Sequence, residues 1–206
     1  MKFSDFSSAS SMRHIYLDLY KMSSAILDEK LHYFAQEQIF VDVYKLAAAY
    51  GINIYDIDMT TITFPGNDFL PEVFGYLNTY SGTAIYLNKI TESPVRRYSI
   101  AYLLSYYLLN GAETRNYVHY LIPASFSADF REQICHLFAS FLLMPIESMT
   151  KLMLLYREQA FSSQISFSSW LNYLESTMGI PAYYAAAAFE AVRTLHAFLN
   201  EKHTGF

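Results

Sequence analysis

Glu132 and His136 stand four residues apart in EQICHLFASFLLMP (132–145). On a helix that spacing puts a carboxylate and an imidazole on one face. With a third donor such as His119 they could hold a metal ion. The plainer reading is a helix-surface pair and a separate exposed histidine, because two donors with a remote third are a weak metal signal. Cys135 lies between them. A nucleophilic thiol needs a base beside it and partial exposure, and an apolar surrounding points instead to a buried, inert thiol.

Two further groups could do chemistry. Tyr102 and Tyr106 repeat the four-residue spacing in YSIAYLLSYYLLNG (98–111). A phenol of ordinary pKa near about 10 is neutral at physiological pH, so these rings are acid–base candidates only in an unusual setting. As packing residues they would still seek hydrogen-bond partners for their hydroxyls. Arg96 and Arg97 precede the run. They are candidate binding residues for an anion at a helix start, with ion pairing to a neighbouring carboxylate as the default reading.

The elements that must position these side chains follow from periodicity. Residues 14–38 carry apolar positions at helical spacing, and 40–50 form a second helix that Gly51 ends. INIYDIDM (52–59) and TTITF (60–64) read as strands, PGND (65–68) as a turn, and 73–89 as two strands around a Ser-Gly turn. Pro94 suits a helix start, and that helix runs to about residue 110, where Gly111 stops it. Residues 112–127 read as loop or short turns. Helices follow over 128–144, closed by Pro145, then over 146–158, 168–178 and 182–200, with 161–169 as a linker.

Composition excludes several classes. The chain has 206 residues, 53% hydrophobic and 16% charged, which argues for a packed core and against disorder. The net charge of −5 leaves no basic footprint for nucleic acid across the whole chain. A single cysteine rules out an intrachain disulfide and fits a reducing compartment, the cytoplasm. The N-terminal stretch MKFSDFSSASSMRH does not read as a secretory signal. No window approaches the roughly 18 uninterrupted apolar residues of a membrane span.

Taken together, RRYSIAYLLSYYLLNG (96–111) resembles the RxRFTxAHELGHYLLH segment of the ImmA/IrrE family of zinc peptidases. Tyr102 and Tyr106 stand where the family has its two zinc-binding histidines, Leu103 where it has the catalytic glutamate, and Ser105 where a glycine is usual. EQICHLFASFLLMP is similar to the family's ExxANxFAxxLLMP, with Glu132 at the third zinc ligand, Cys135 replacing alanine and His136 replacing asparagine. VDVYKLAAAYGINIYDID (41–58) and TAIYLN (83–88) match the family's opening helix and the strand before its active helix. The resemblance covers roughly 40–145.

The resemblance implies an α+β fold: a zincin-like core with a small antiparallel sheet over residues 1–145, followed by a helical, helix-turn-helix-like subdomain over 146–206. It also implies a pseudopeptidase. Tyr102, Leu103, Tyr106 and Glu132 would be vestigial active-site positions, no zinc or other cofactor is expected, and no catalytic residue is assigned. Family members commonly cut or control helix-turn-helix repressors, often on mobile elements. The expected function is therefore transcription regulation by protein binding, with such a repressor as partner and a homodimer as an open alternative. Two other functions stay open: a hydrolase with a rebuilt site around Glu132 and His136, and a DNA-binding regulator acting through 168–198. The latter segment lacks the basic stripe that duplex DNA demands, so direct nucleic-acid binding is not expected.

Overall fold

The computed structural model describes residues 12–36, 40–59, 73–80, 82–91, 93–111, 116–120, 129–149, 151–152, 166–178 and 180–203. The first helix, α1 (Met12–Leu31), buries Ile15, Leu19, Ser23, Ile26 and Leu27, a stripe at three- and four-residue spacing. It ends earlier than the expected residue 38. His32 takes φ 48, a left-handed turn that starts a short 3-10 helix, Tyr33–Gln36. The turn delivers the buried Tyr33 ring to the chain after Pro145, where its hydroxyl and Ser148 Oγ are 2.7 Å apart.

Helix α2 (Val43–Ala49) has defined ends. The Asp42 carboxylate accepts from the Tyr44 and Lys45 amides at its N-terminus. At the other end Gly51, with φ +70, donates to Ala48 and the Ile52 amide donates to Ala47. This is the Schellman closure expected of a glycine at that position.

Among the described residues the sheet has four strands: β1 (Asn53–Ile57), β2 (Val73–Asn78), β3 (Ala84–Asn88) and β4 (Tyr117–Tyr120), in the order β1-β3-β2-β4. β2 and β3 form the expected antiparallel hairpin, with Tyr76 opposite Tyr86. The expectation of a wholly antiparallel sheet is corrected: β1 pairs parallel to β3, from Asn53 opposite Ala84 to Ile57 opposite Asn88. A tight turn fixes β2 against β3, but β1 reaches β3 through a long connection that imposes no direction. The expected loop over 112–127 is also corrected, since 117–120 form a strand antiparallel to β2. Asn116 pins its start by accepting from the Thr79 amide and hydroxyl at 2.8 and 3.2 Å. The strand expected at 60–64 lies outside the described residues.

Helix α3 (Ser93–Asn110) crosses one face of this sheet. Ile85 and Leu87 of β3 and Leu77 of β2 are fully buried beneath it. Leu103 comes so close to Gly75 that a Cβ there would stand 2.9 Å from Leu103 Cδ1. Helix α4 (Phe130–Leu143) packs on α3 and α1. The chain is helical again at 146–149 and 151–152; the rest of the helix expected over 146–158 lies outside the described residues. Helices α5 (Phe167–Met178) and α6 (Ala182–His203) follow, so the expected linker gives way to helix from Phe167. Helix α6 packs on α1 and α4, and Trp170, Leu174, Ile180 and Leu195 belong to the same core cluster as α1, α3 and α4. The fold is therefore mixed α+β with one continuous core. Among the described residues no helix is long and apolar enough to cross a membrane.

The close approach at Gly75 has a measurable consequence. Gly75→Val should cost about 1–3 kcal/mol in chemical denaturation, from overpacking. Adding Leu103→Ala should recover part of that loss, so the two changes should be less than additive.

Candidate functional site

The stripe Tyr98, Tyr102, Tyr106 runs along α3 at four-residue intervals, so the three rings share one face. That face meets β4 and α4. Helix α4 starts at Asp129, whose Oδ1 accepts from the Arg131 amide at 2.8 Å. Glu132 therefore sits in the first turn and His136 one turn further along.

These side chains converge. The Tyr102 and Tyr117 hydroxyls are 3.1 Å apart, and Tyr117 donates to Glu132 Oε1 at 3.1 Å. Because the single phenolic proton of Tyr117 goes to the carboxylate, Tyr102 is the donor to Tyr117. The order is therefore Tyr102 to Tyr117 to Glu132, joining α3, β4 and α4. Tyr106 stacks on Tyr117 with centroids 4.1 Å apart. On the other side of Tyr102 lies the His136 ring, at 4.5 Å between centroids. Tyr98 closes the group: its hydroxyl is 2.7 Å from His136 Nδ1, in buried surroundings.

Burial sets the electrostatics. It pushes the His136 imidazole from its ordinary 6.5 down to about 3, so the ring is neutral. It raises the Tyr102 phenol well above 10, reinforced by Cys135, Tyr117 and Glu132 nearby. The Tyr117 phenol is raised too, again chiefly by burial. The Cys135 thiol is fully buried and is driven up by desolvation, then by Glu132 and Asp129. None of these groups is set up as a nucleophile or a strong base at neutral pH.

Nor do they fit a zinc ion. A metal needs deprotonated or lone-pair donors, and Tyr102, at one of the two metal positions of the resemblance, holds its proton more tightly than free tyrosine. Among the described residues no group of three or more His, Cys, Asp or Glu is placed to hold a metal ion. Leu103, the third position in that pattern, points the other way, into the sheet at Gly75. Cys135 takes the buried, inert setting expected of it. The side chain of His119 lies outside the described residues.

The structure thus brings together Tyr102, Tyr106, Glu132 and His136. It leaves Arg96 and Arg97 elsewhere, at the opening of α3. Arg96 pairs with Asp56 of β1, and Arg97 donates to the Val41 carbonyl at 2.9 Å. Two members of the cluster were not singled out from the sequence. Tyr98 carried a legible signal, being one turn before Tyr102 on the same stripe. Tyr117 carried none, because only the pairing of β4 with β2 brings it under α3. No protein-family model matches the chain, and no curated protein matches it significantly.

Two measurements probe this cluster. His136 is held neutral in the fold but protonates near pH 6.5 once unfolded, so the unfolded state binds the extra proton as pH falls below that value. Its stabilising contribution is complete above that pH and is lost on going down toward about 3. Unfolding free energy should drop by about 1 kcal/mol on this account between about pH 7 and about pH 5.5, and His136→Leu should flatten that dependence. In a double-mutant cycle, Tyr102→Phe and Tyr117→Phe should show a coupling of about 0.5–1.5 kcal/mol.

Proposed function

We propose that this chain is a catalytically inactive relative of the ImmA/IrrE peptidases that works as a regulatory protein-binding module, with a helix-turn-helix repressor as its partner. The observation that carries the reading is the hydrogen-bonded order Tyr102, Tyr117, Glu132. At the positions where the resemblance puts two imidazoles around a metal, this chain has Tyr102, which hydrogen-bonds Tyr117, and Tyr106, which stacks on Tyr117. The surviving Glu132 accepts from a phenol instead. A mixed sheet beneath α3, with α4 packed beside it, is compatible with the zincin-like core the resemblance implies.

The residues assign roles accordingly. Tyr102 and Tyr106 fill volume and link α3 to β4. Leu103 seals α3 onto the sheet. Glu132 anchors the start of α4 to the tyrosines. Activity is left to the surface, where a repressor would be held or masked rather than cut, in the cytoplasm.

The purified protein should contain no stoichiometric zinc by elemental analysis and should leave a co-expressed repressor intact. An affinity pull-down from the native host should retain such a repressor. Tyr102→His with Tyr106→His should create a zinc site together with Glu132, seen as one zinc per chain by titration. Zinc bound one per chain to the unaltered protein, or peptide cleavage abolished by a chelator, would defeat the reading; no zinc uptake by the folded double variant would count against the family relationship.

A further inference from the structure

The opening of α3 holds an arrangement that the tyrosine cluster does not use. Arg97 is partly buried, and among the described residues its one hydrogen bond is to the backbone carbonyl of Val41. A carbonyl carries no counter-charge, and a guanidinium has five N–H donors. The cations around it are already matched: Arg96 with Asp56, and Lys45 with Asp42 at 3.8 Å. Asp42 acts on Arg97 only from beyond ion-pair contact, and it also caps α2. Among the described residues Arg97 is therefore left one positive charge in excess, in a chain whose net charge is −5. Burial lowers its pKa without neutralising it. A partly desolvated cation without a counter-ion is costly unless something completes it.

Its surroundings suggest what does. Phe40, next to the carbonyl that Arg97 holds, is 40% exposed, and Tyr44 is 43% exposed. The Tyr44 hydroxyl hydrogen-bonds Arg96 and lies within electrostatic reach of Arg97. Exposed aromatic rings around an arginine are the side chains that dominate protein–protein contacts. The nearby Asp42 disfavours a doubly charged phosphate more than a singly charged carboxylate.

We propose that Arg97, flanked by Phe40 and Tyr44, is a docking point for a carboxylate carried on an acidic, apolar-flanked peptide segment of a partner protein. The inference rests on the reading of the chain as a protein-binding module and adds where the partner is held. The planar fork of Arg97 would take the carboxylate through two N–H groups, while the two rings cover apolar side chains beside it.

The test uses the full chain and a fluorescein-labelled peptide of alternating glutamate and phenylalanine, with its glutamine counterpart, followed by fluorescence anisotropy. The glutamate peptide should bind more tightly than the glutamine peptide by about tenfold or more, and Arg97→Gln should remove that preference. Arg97→Lys keeps the charge and the bond to Val41, so it should fold and show an intermediate loss. Arg193→Gln, at an exposed arginine paired with Glu190 on α6, should change nothing. Equal binding of both peptides, or a glutamate preference undiminished in the lysine and glutamine variants, would overturn the proposal. Inorganic phosphate binding to Arg97 in preference to the peptide would overturn the carboxylate assignment. In the pull-down, a repressor retained equally by wild type and Arg97→Gln would sink this inference and leave the protein-binding reading standing. No partner retained by either would sink the reading itself.

Discussion

The structure depends on α3 being buried on two sides at once. On one side Leu103 closes against a glycine in β2, so closely that a Cβ at 75 would force the Leu103 side chain to shift. On the other, the stripe of tyrosines meets β4 and α4. Apolar burial drives both contacts, but the second brings hydroxyls into the interior. Each must be satisfied there, because an unpaired polar group in a low-dielectric core is costly.

That requirement explains the cluster better than any catalytic demand. Tyr102 donates to Tyr117, Tyr117 to Glu132, and Tyr98 pairs with His136. The same burial that makes these bonds necessary holds the phenols protonated and the imidazole neutral. Groups arranged this way stiffen a core and fix the relative placement of three elements. They are poorly suited to bind a cation or to pass a proton at neutral pH, since each would have to give up the form its surroundings favour. The contrast with the opening of α3 is instructive. There Arg96 has its carboxylate, whereas among the described residues Arg97 is bonded to a backbone oxygen alone.

Much of the framework was legible along the chain because its causes are local. The Asp42 cap, the Gly51 closure, the hairpin of β2 and β3, and the helices at 93–110, 130–143, 167–178 and 182–203 all follow from neighbouring residues. So did the shared face of Tyr102 and Tyr106 and that of Glu132 and His136. What failed had causes at a distance. The break of α1 at His32 serves a contact between Tyr33 and Ser148, and β4 is a strand because β2 offers it an edge.

By itself, then, the sequence determined which residues share a helix face, since spacing of three or four residues is a property of the helix alone. Only the tertiary structure decided that β1 lies parallel to β3, that Tyr117 sits between Tyr102 and Glu132, and that Arg97 has no counter-ion among the described residues. Those facts depend on which distant surfaces meet, and burial there, not spacing along the chain, sets the charge and hydrogen bonding of each group.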